Sequence, residues 1–358
     1  MIERLLVCRG RGFDPYENLA LEEALLHRVG KGELILYLWQ NERTVVIGKN
    51  QNPWKECRTA LLNEEGGHLA RRLSGGGAVF HDLGNLNFTF LMSAEDYDLP
   101  RQLTVLEKAC QSLGIPAQRS GRNDLLADGR KFSGNAFYSH GGKSYHHGTL
   151  MVDVDMEKVQ RYLSPSKAKL AAKGVDSVRS RVVNLREFVP DLTIPQLADA
   201  LIAALIEVYA VAPAISRPDE GTGNREQGTA KAFPLRGRCP SAHTGADEVV
   251  PLEQLYPDEF DLRELTAKYA SDAWLYGPKL PFTASVEDRF SWGGIEIQLD
   301  VNEGVIRAAK VYTDAMDETL APRLEAVLPG IPLRSEALSA ALPEQQKDEL
   351  LSLLRKAL

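Results

Sequence analysis

Apolar and polar positions along the chain change period several times, and each change marks an element. From Pro15 to Gly32, PYENLALEEALLHRVGKG sets Leu19, Ala20, Leu25, Leu26 and Val29 near one face, which predicts a helix with Gly30 as its stop. ELILYLW (33–39) and TVVIG (44–48) are short apolar runs split by the polar QNER, the pattern of two strands joined by a turn. Helical spacing returns in LTVLEKACQSLGI, where Leu103, Leu106, Cys110 and Leu113 align before Gly114. HGTLMVDVDM instead alternates Leu150, Val152 and Val154 against Met151, Asp153 and Asp155, which predicts a strand. Another helix is expected after Thr193, an N-cap followed by an early proline and by Leu197, Leu201, Leu205 and Val208.

Beyond that helix the periodicity stops. Residues 213–250 hold several Pro and Gly, scattered charge and no sustained apolar period, so a long loop is expected there. FSWGGIEIQLDVNEGVIRAAKVYTDAM then alternates Ile295, Ile297, Leu299 and Val301, turns at Asn302-Glu303-Gly304 and resumes, which predicts a hairpin. ETLAPRLEAVL and PEQQKDELLSLLRKAL read as helices. At 358 residues the chain exceeds what one core usually serves. The expected division is a first domain over 1–212, a Pro/Gly-rich connection over 213–261 and a small α+β domain over 262–358.

Composition narrows the function classes. A net charge of −7 argues against a dedicated nucleic-acid binder, so an anionic nucleotide would have to be held by local positive charge. No 18-residue apolar run could span a membrane, and the charged N-terminus lacks the apolar core of a secretory signal. Cys8, Cys57, Cys110 and Cys239 are scattered without metal-ligand spacing. The expectation is a soluble protein of the cytoplasm, without disulfides or structural metal.

Three stretches carry chemistry. RRLSGGGAVFHDLGNLNFTF (71–90) places three glycines beside Arg71 and Arg72. Backbone N–H groups free of Cβ obstruction, with a guanidinium beside them, suit phosphate oxygens, although GGG alone also suits a hairpin turn. GRNDLLADGRKFSGNAF (121–137) offers Asn123, Asp124 and a lysine, Lys131, among small neighbours, whose ammonium could neutralise a carboxylate and a phosphate together; an exposed hairpin lysine is the alternative. YHHGTLMV (145–152) brings two histidines into a strand, where alternation points them to opposite faces. HGGKS (140–144) lacks the first glycine of a P-loop, and CRGRG (8–12) reads as a strand end and turn.

Taken in order, these stretches with HHGTL, KLAAKGVDSVRSRVVNL, FDPYENLALEE and VVIGKNQNPWKEC resemble the lipoate-protein ligase A family, and the C-terminal hairpin resembles the accessory domain of its long form. The resemblance implies an α/β (α+β) catalytic domain of the biotin/lipoate protein ligase type, related to class II aminoacyl-tRNA synthetases. It implies formation of lipoyl-AMP from ATP and lipoate, then transfer to a specific lysine on a lipoyl-acceptor domain. Such acceptors are 2-oxoacid dehydrogenase E2 subunits or the glycine cleavage H protein.

By the same resemblance Lys131 touches both reactants. Arg72, Gly75, Gly76, Gly77, Ala78, Val79 and Phe80 contact ATP or the adenylate. Asn123 and Asp124 are further candidates there, Asp124 through Mg²⁺ and phosphate. Trp39, Val46 and His81 are expected to wall the lipoate pocket, with His147 supporting it and Lys131 closing it. The chain is expected to act as a monomer. The rival reading is an octanoyl- or lipoyl-transferase of the same fold, with a cysteine acyl intermediate and no ATP.

Overall fold

In the computed structural model the described residues are 1–120, 124–164, 182–209, 252–278 and 280–357. The first apolar runs become strands: β1 is Arg4–Arg9, β2 is Glu33–Trp39 and β3 is Thr44–Ile47. Every residue of β2 is buried, which is why its sequence is a continuous apolar run: the strand is covered on both faces. β4 (His68–Arg71) and β5 (Val79–His81) flank β3 in a three-stranded sheet of order β4-β3-β5.

A larger sheet carries the rest. β6 is Asn85–Ser93, β7 Ala117–Arg119, β8 Asp124–Ala127, β9 Arg130–His140, β10 Lys143–Met151 and β11 Leu252–Leu255. The eight strands run in the order β11-β1-β2-β6-β10-β9-β8-β7. One face packs on helices Leu99–Ser112 and Ile194–Tyr209, with Leu36, Phe88, Phe90, Leu106 and Leu201 in a common core. The other face meets α1 (Pro15–Arg28), capped by the Asp14 side chain, and the three-stranded sheet.

The strand expected from HGTLMVDVDM starts earlier and stops at Met151. Val152 N–H and Asp153 N–H both turn to Gly84 O, at 2.9 Å each, and Asp155 then caps the helix Met156–Tyr162. The hairpin is present as β13 (Gly293–Asn302) and β14 (Val305–Thr313), joined by β12 (Ala284–Phe290) in an antiparallel sheet. Helices Leu320–Val327, Ser335–Ala341 and Lys347–Leu354 cover it with a separate core around Ile297, Leu299, Leu324 and Leu353.

The expected domain start at 262 needs correction. β11 pairs with β1, the helix Arg263–Ala270 lies on α1, and Tyr269 is buried in the core beneath. Residues 252–276 therefore pack with the first domain, because Leu255, Tyr269 and Trp274 supply apolar bulk that α1 alone does not. The expected loop at 213–250 lies outside the described residues. Among the described residues no helix is long and apolar enough to cross a membrane.

Candidate active site

Alternation along NLNFTF decides which side chains meet. Leu86, Phe88 and Phe90 enter the helix-covered core, so Asn85, Asn87 and Thr89 face the other way. Register sets Trp39 beside Asn87 and Asn87 beside Thr149, and in the next row Tyr37 beside Thr89 and Thr89 beside His147. These rows form the floor of a cavity of about 210 Å³ whose walls include Leu19, Val46, Val79 and His81. As alternation required, the two adjacent histidines part: His147 lines the cavity, while His146 is buried against Phe88 and Phe90 on the opposite face.

The floor is tied together through one buried carboxylate. Trp39 Nε1–H donates to Thr89 Oγ1 at 3.1 Å, and the Thr89 hydroxyl donates to Glu22 Oε1 at 2.7 Å. His147 Nδ1 lies 2.8 Å from the same oxygen, and its Nε2 lies 2.7 Å from Ser74 Oγ, which Arg72 Nε approaches at 3.0 Å. A guanidinium only donates, so Ser74 accepts from Arg72, and a carboxylate only accepts, so His147 donates from Nδ1 to Glu22. The imidazole then carries its proton on Nδ1, toward Glu22. Glu22 on α1 thus joins the acyl-pocket wall to the glycine loop through a chain with consistent donors and acceptors.

Arg72 lines the cavity and is also bound to the loop itself. Its remaining N–H groups donate to Val46 O at 3.2 Å, Gly75 O at 2.6 Å and Gly77 O at 2.8 Å, so it holds the carbonyl side of the loop. Burial lowers its pKa to about 10, still far above neutrality. Arg71, likewise lowered to about 10 by burial, binds Lys49 O and Gln51 O on one side and Trp274 O and Leu275 O on the other. The pair secures the loop instead of presenting free guanidinium groups.

The loop is covered by the C-terminal domain. Gly76 N–H donates to Ala315 O at 3.0 Å, and a Cβ on Gly75 would come within 2.4 Å of that same oxygen, so glycine is needed for the approach. Met316 lines the cavity. Thr313 N–H to Asn50 O at 2.9 Å and Lys55 Nζ to Glu287 at 2.7 Å extend the contact.

Lys131 stands at the other end, on β9. Its Nζ is 2.7 Å from Asp124 Oδ1, with about a third of each side chain exposed (38% and 31%). A Cβ on Gly134 would lie 3.0 Å from this Nζ, so the missing side chain leaves the ammonium its place. Val183 N–H donates to Lys131 O at 2.9 Å, which brings the end of the KLAAKGVDSVRSRVVNL motif against the lysine's backbone.

Of the residues expected at the site, Trp39, Val46, Arg72, Gly76, Gly77, Ala78, Val79, His81, Lys131 and His147 line this cavity. Phe80 does not: alternation turns its ring into a neighbouring core, 5.5 Å from Tyr162. Gly75 lies in the covered loop, Asp124 acts through Lys131, and Asn123 lies outside the described residues. Glu22, Ser74, Thr89 and Met316 were not anticipated. For Glu22 a signal existed, an acidic residue at helical spacing between Leu19 and Leu26 on the apolar face. Cys8, Cys57 and Cys110 are buried with thiols pushed up to about 12 by burial, and none lines the cavity.

Solved structures match this fold over roughly three quarters of the chain or more. The lipoate complex of P. falciparum LipL1 is 26% identical, covers 98% of each chain and superposes with a TM-score of 0.74. A bi-partite lipoate protein ligase from Thermoplasma acidophilum, described with its E2 lipoyl domain, is 25% identical over 79% of this chain and 100% of its own, with a TM-score of 0.59. A lipoate-protein ligase A bound with ATP shares the fold at 24% identity and a TM-score of 0.57, covering 77% of this chain and 99% of its own. The family model described as the lipoyl protein ligase A/B catalytic domain matches residues 14–206, and that of the bacterial lipoate protein ligase C-terminus matches residues 279–354. The chain therefore belongs to the lipoate-protein ligase family, with a mixed α/β catalytic domain followed by the family's own α+β C-terminal domain.

Proposed function

We propose that this protein is an ATP-dependent lipoate-protein ligase that forms lipoyl-AMP and then acylates a lysine on an E2-type or glycine cleavage H acceptor. The observation that carries the reading is the cavity itself: an apolar slot with Lys131 at one end, lidded by a glycine loop. Action as a monomer is part of the same reading. A division into a catalytic domain and an accessory domain is supported by the separate family matches at 14–206 and 279–354. The protein would work in the cytoplasm, where buried free thiols persist.

Adenylation must bring a carboxylate against the α-phosphate, two anions that repel. Lys131 presents a compact ammonium already paired with one carboxylate, Asp124, at 2.7 Å. An incoming lipoate carboxylate and phosphate take over that pairing, and the ammonium offsets the charge gathered in the transition state. The apolar walls exclude water from the mixed anhydride. Arg72 holds the carbonyls of Gly75 and Gly77 and the Gly76 amide is given to Ala315 O, so a part for this loop in binding phosphate oxygens would fall to its remaining amides.

Among the described residues no three His, Cys, Asp or Glu gather as a metal site. A Mg²⁺ that keeps phosphate and water ligands needs only one or two protein carboxylates, and Asp124 is suited to be one. When bound, it supplies charge neutralisation on the phosphates. The cysteine-transferase reading gains no support, since no described thiol reaches the cavity.

Lipoate-dependent exchange of labelled pyrophosphate into ATP tests the reading. The wild-type protein is expected to catalyse it, and Lys131→Ala to lower the rate by about 10³-fold or more with its melting temperature preserved. Exchange at the wild-type rate in that variant removes the role given to the lysine.

A further inference from the structure

One polar group of the cavity wall has no partner. The His81 imidazole turns its Nδ1 toward two amides, Asn41 Nδ2 at 3.2 Å and Asn87 Nδ2 at 3.5 Å. Each amide is oriented independently of the histidine. Asn41 Oδ1 accepts from Asn18 Nδ2 at 3.0 Å, and Asn87 Oδ1 accepts from Asn85 Nδ2 at 2.9 Å, so both direct N–H groups at the ring. Nδ1 is therefore an acceptor, and Nε2 carries the proton. That Nε2–H is buried without a hydrogen-bond partner among the described residues. Burial, with Arg72 and His147 nearby, lowers the ring's pKa to about 3, so it stays neutral across the working range.

The position of His81 in the slot narrows what could satisfy it. Its ring meets Trp39 edge-on at 6.2 Å, at the end formed by β2 and β6. Lys131, over Gly134 on β9, lies two to three strands away, which at about 4.8 Å per strand is roughly 10–14 Å. A carboxylate held by Lys131 is out of reach of His81. The far end of a lipoyl group is not, and its only polar atoms are the two ring sulfurs.

Resting on the reading of this cavity as a lipoate site, we propose that His81 Nε2–H donates to a dithiolane sulfur and sets a preference for sulfur-bearing acyl groups over plain alkyl ones. Sulfur is a weak acceptor, so the preference is modest, but an otherwise unmade buried donor adds to it. His81 is a specificity residue; it takes no part in the bond-making steps at the carboxylate.

The test is calorimetric binding of lipoate and of 5-cyclopentylpentanoate, which keeps ring and chain and replaces both sulfurs by methylenes. The wild-type protein is expected to bind lipoate about fivefold tighter. In His81→Phe the ratio is expected to fall to about one, even if both affinities drop together. A wild-type ratio of one overturns the proposal without any variant having to fold, as does a fivefold ratio that survives in His81→Phe. Pyrophosphate exchange separates the two readings. A sound binding ratio without exchange removes the ligase assignment and leaves the sulfur contact standing; exchange with a ratio of one does the reverse.

Discussion

The two ends of the cavity are built on opposite principles. At the Trp39 end the polar side chains are buried and, His81 Nε2 apart, cross-braced, with Glu22 only 2% exposed and joined through Thr89 to Trp39 and through His147 and Ser74 to the glycine loop. At the Lys131 end an ammonium rests on a carboxylate, each side chain about a third exposed, above a glycine that leaves it space. A buried network holds one geometry because any vacancy leaves an unpaired polar group, whereas an exposed ion pair can exchange partners at little cost. The Trp39 end is therefore shaped in advance, and the Lys131 ammonium remains free to change partner.

That contrast can be broken from either side. The largest effect on stability is expected from acid. His81 and His146 are both lowered to about 3 by burial from an ordinary 6.5. Between those values the unfolded chain binds protons that the folded chain does not, so stability is full above pH 6.5 and is lost as pH falls toward 3. The two together predict a loss of about 4 kcal/mol from pH 7 to pH 5, measurable by denaturant titration at the two values. A flat profile would mean that both rings accept protons in place.

Glu22→Ala comes next. It leaves the Thr89 hydroxyl proton and the His147 Nδ1–H without their acceptor in a buried site and is expected to cost about 3 kcal/mol, read as a lowered denaturation midpoint. A variant as stable as the wild type would show that the brace is dispensable. Asp124→Asn should be the mildest: within about 1 kcal/mol in stability because the pair is partly solvated, yet slower in pyrophosphate exchange. Should it destabilise as much as Glu22→Ala, the difference between the two ends disappears.

Much of this was legible in the chain. Period alone located α1, β2, β3, the helices at 99–112 and 194–209 and the β13–β14 hairpin, because each buries one stripe or face. The opposed directions of His146 and His147 followed from strand alternation. Arg72 was found, and it lines the cavity, but the sequence did not show that the loop's own carbonyls would be its partners. Phe80 was carried in with its neighbours, although alternation already turned it away from Val79 and His81. Glu22 passed unremarked because a glutamate on a helix is usually solvated, and only packing against His147 shows otherwise.

The sequence by itself determined the elements, the glycine loop, the lysine and the family, since periodicity and motif are local properties that survive without neighbours. Tertiary structure decided that β11 and the helix at 263–270 join the first domain, that Met316 from the far end of the chain covers the loop, and that one carboxylate, Glu22, joins Thr89 to His147. The physical reason is that partner choice for a buried polar group is settled by which groups lie within about 3 Å once the layers close, and residues hundreds of positions apart are equal candidates until then.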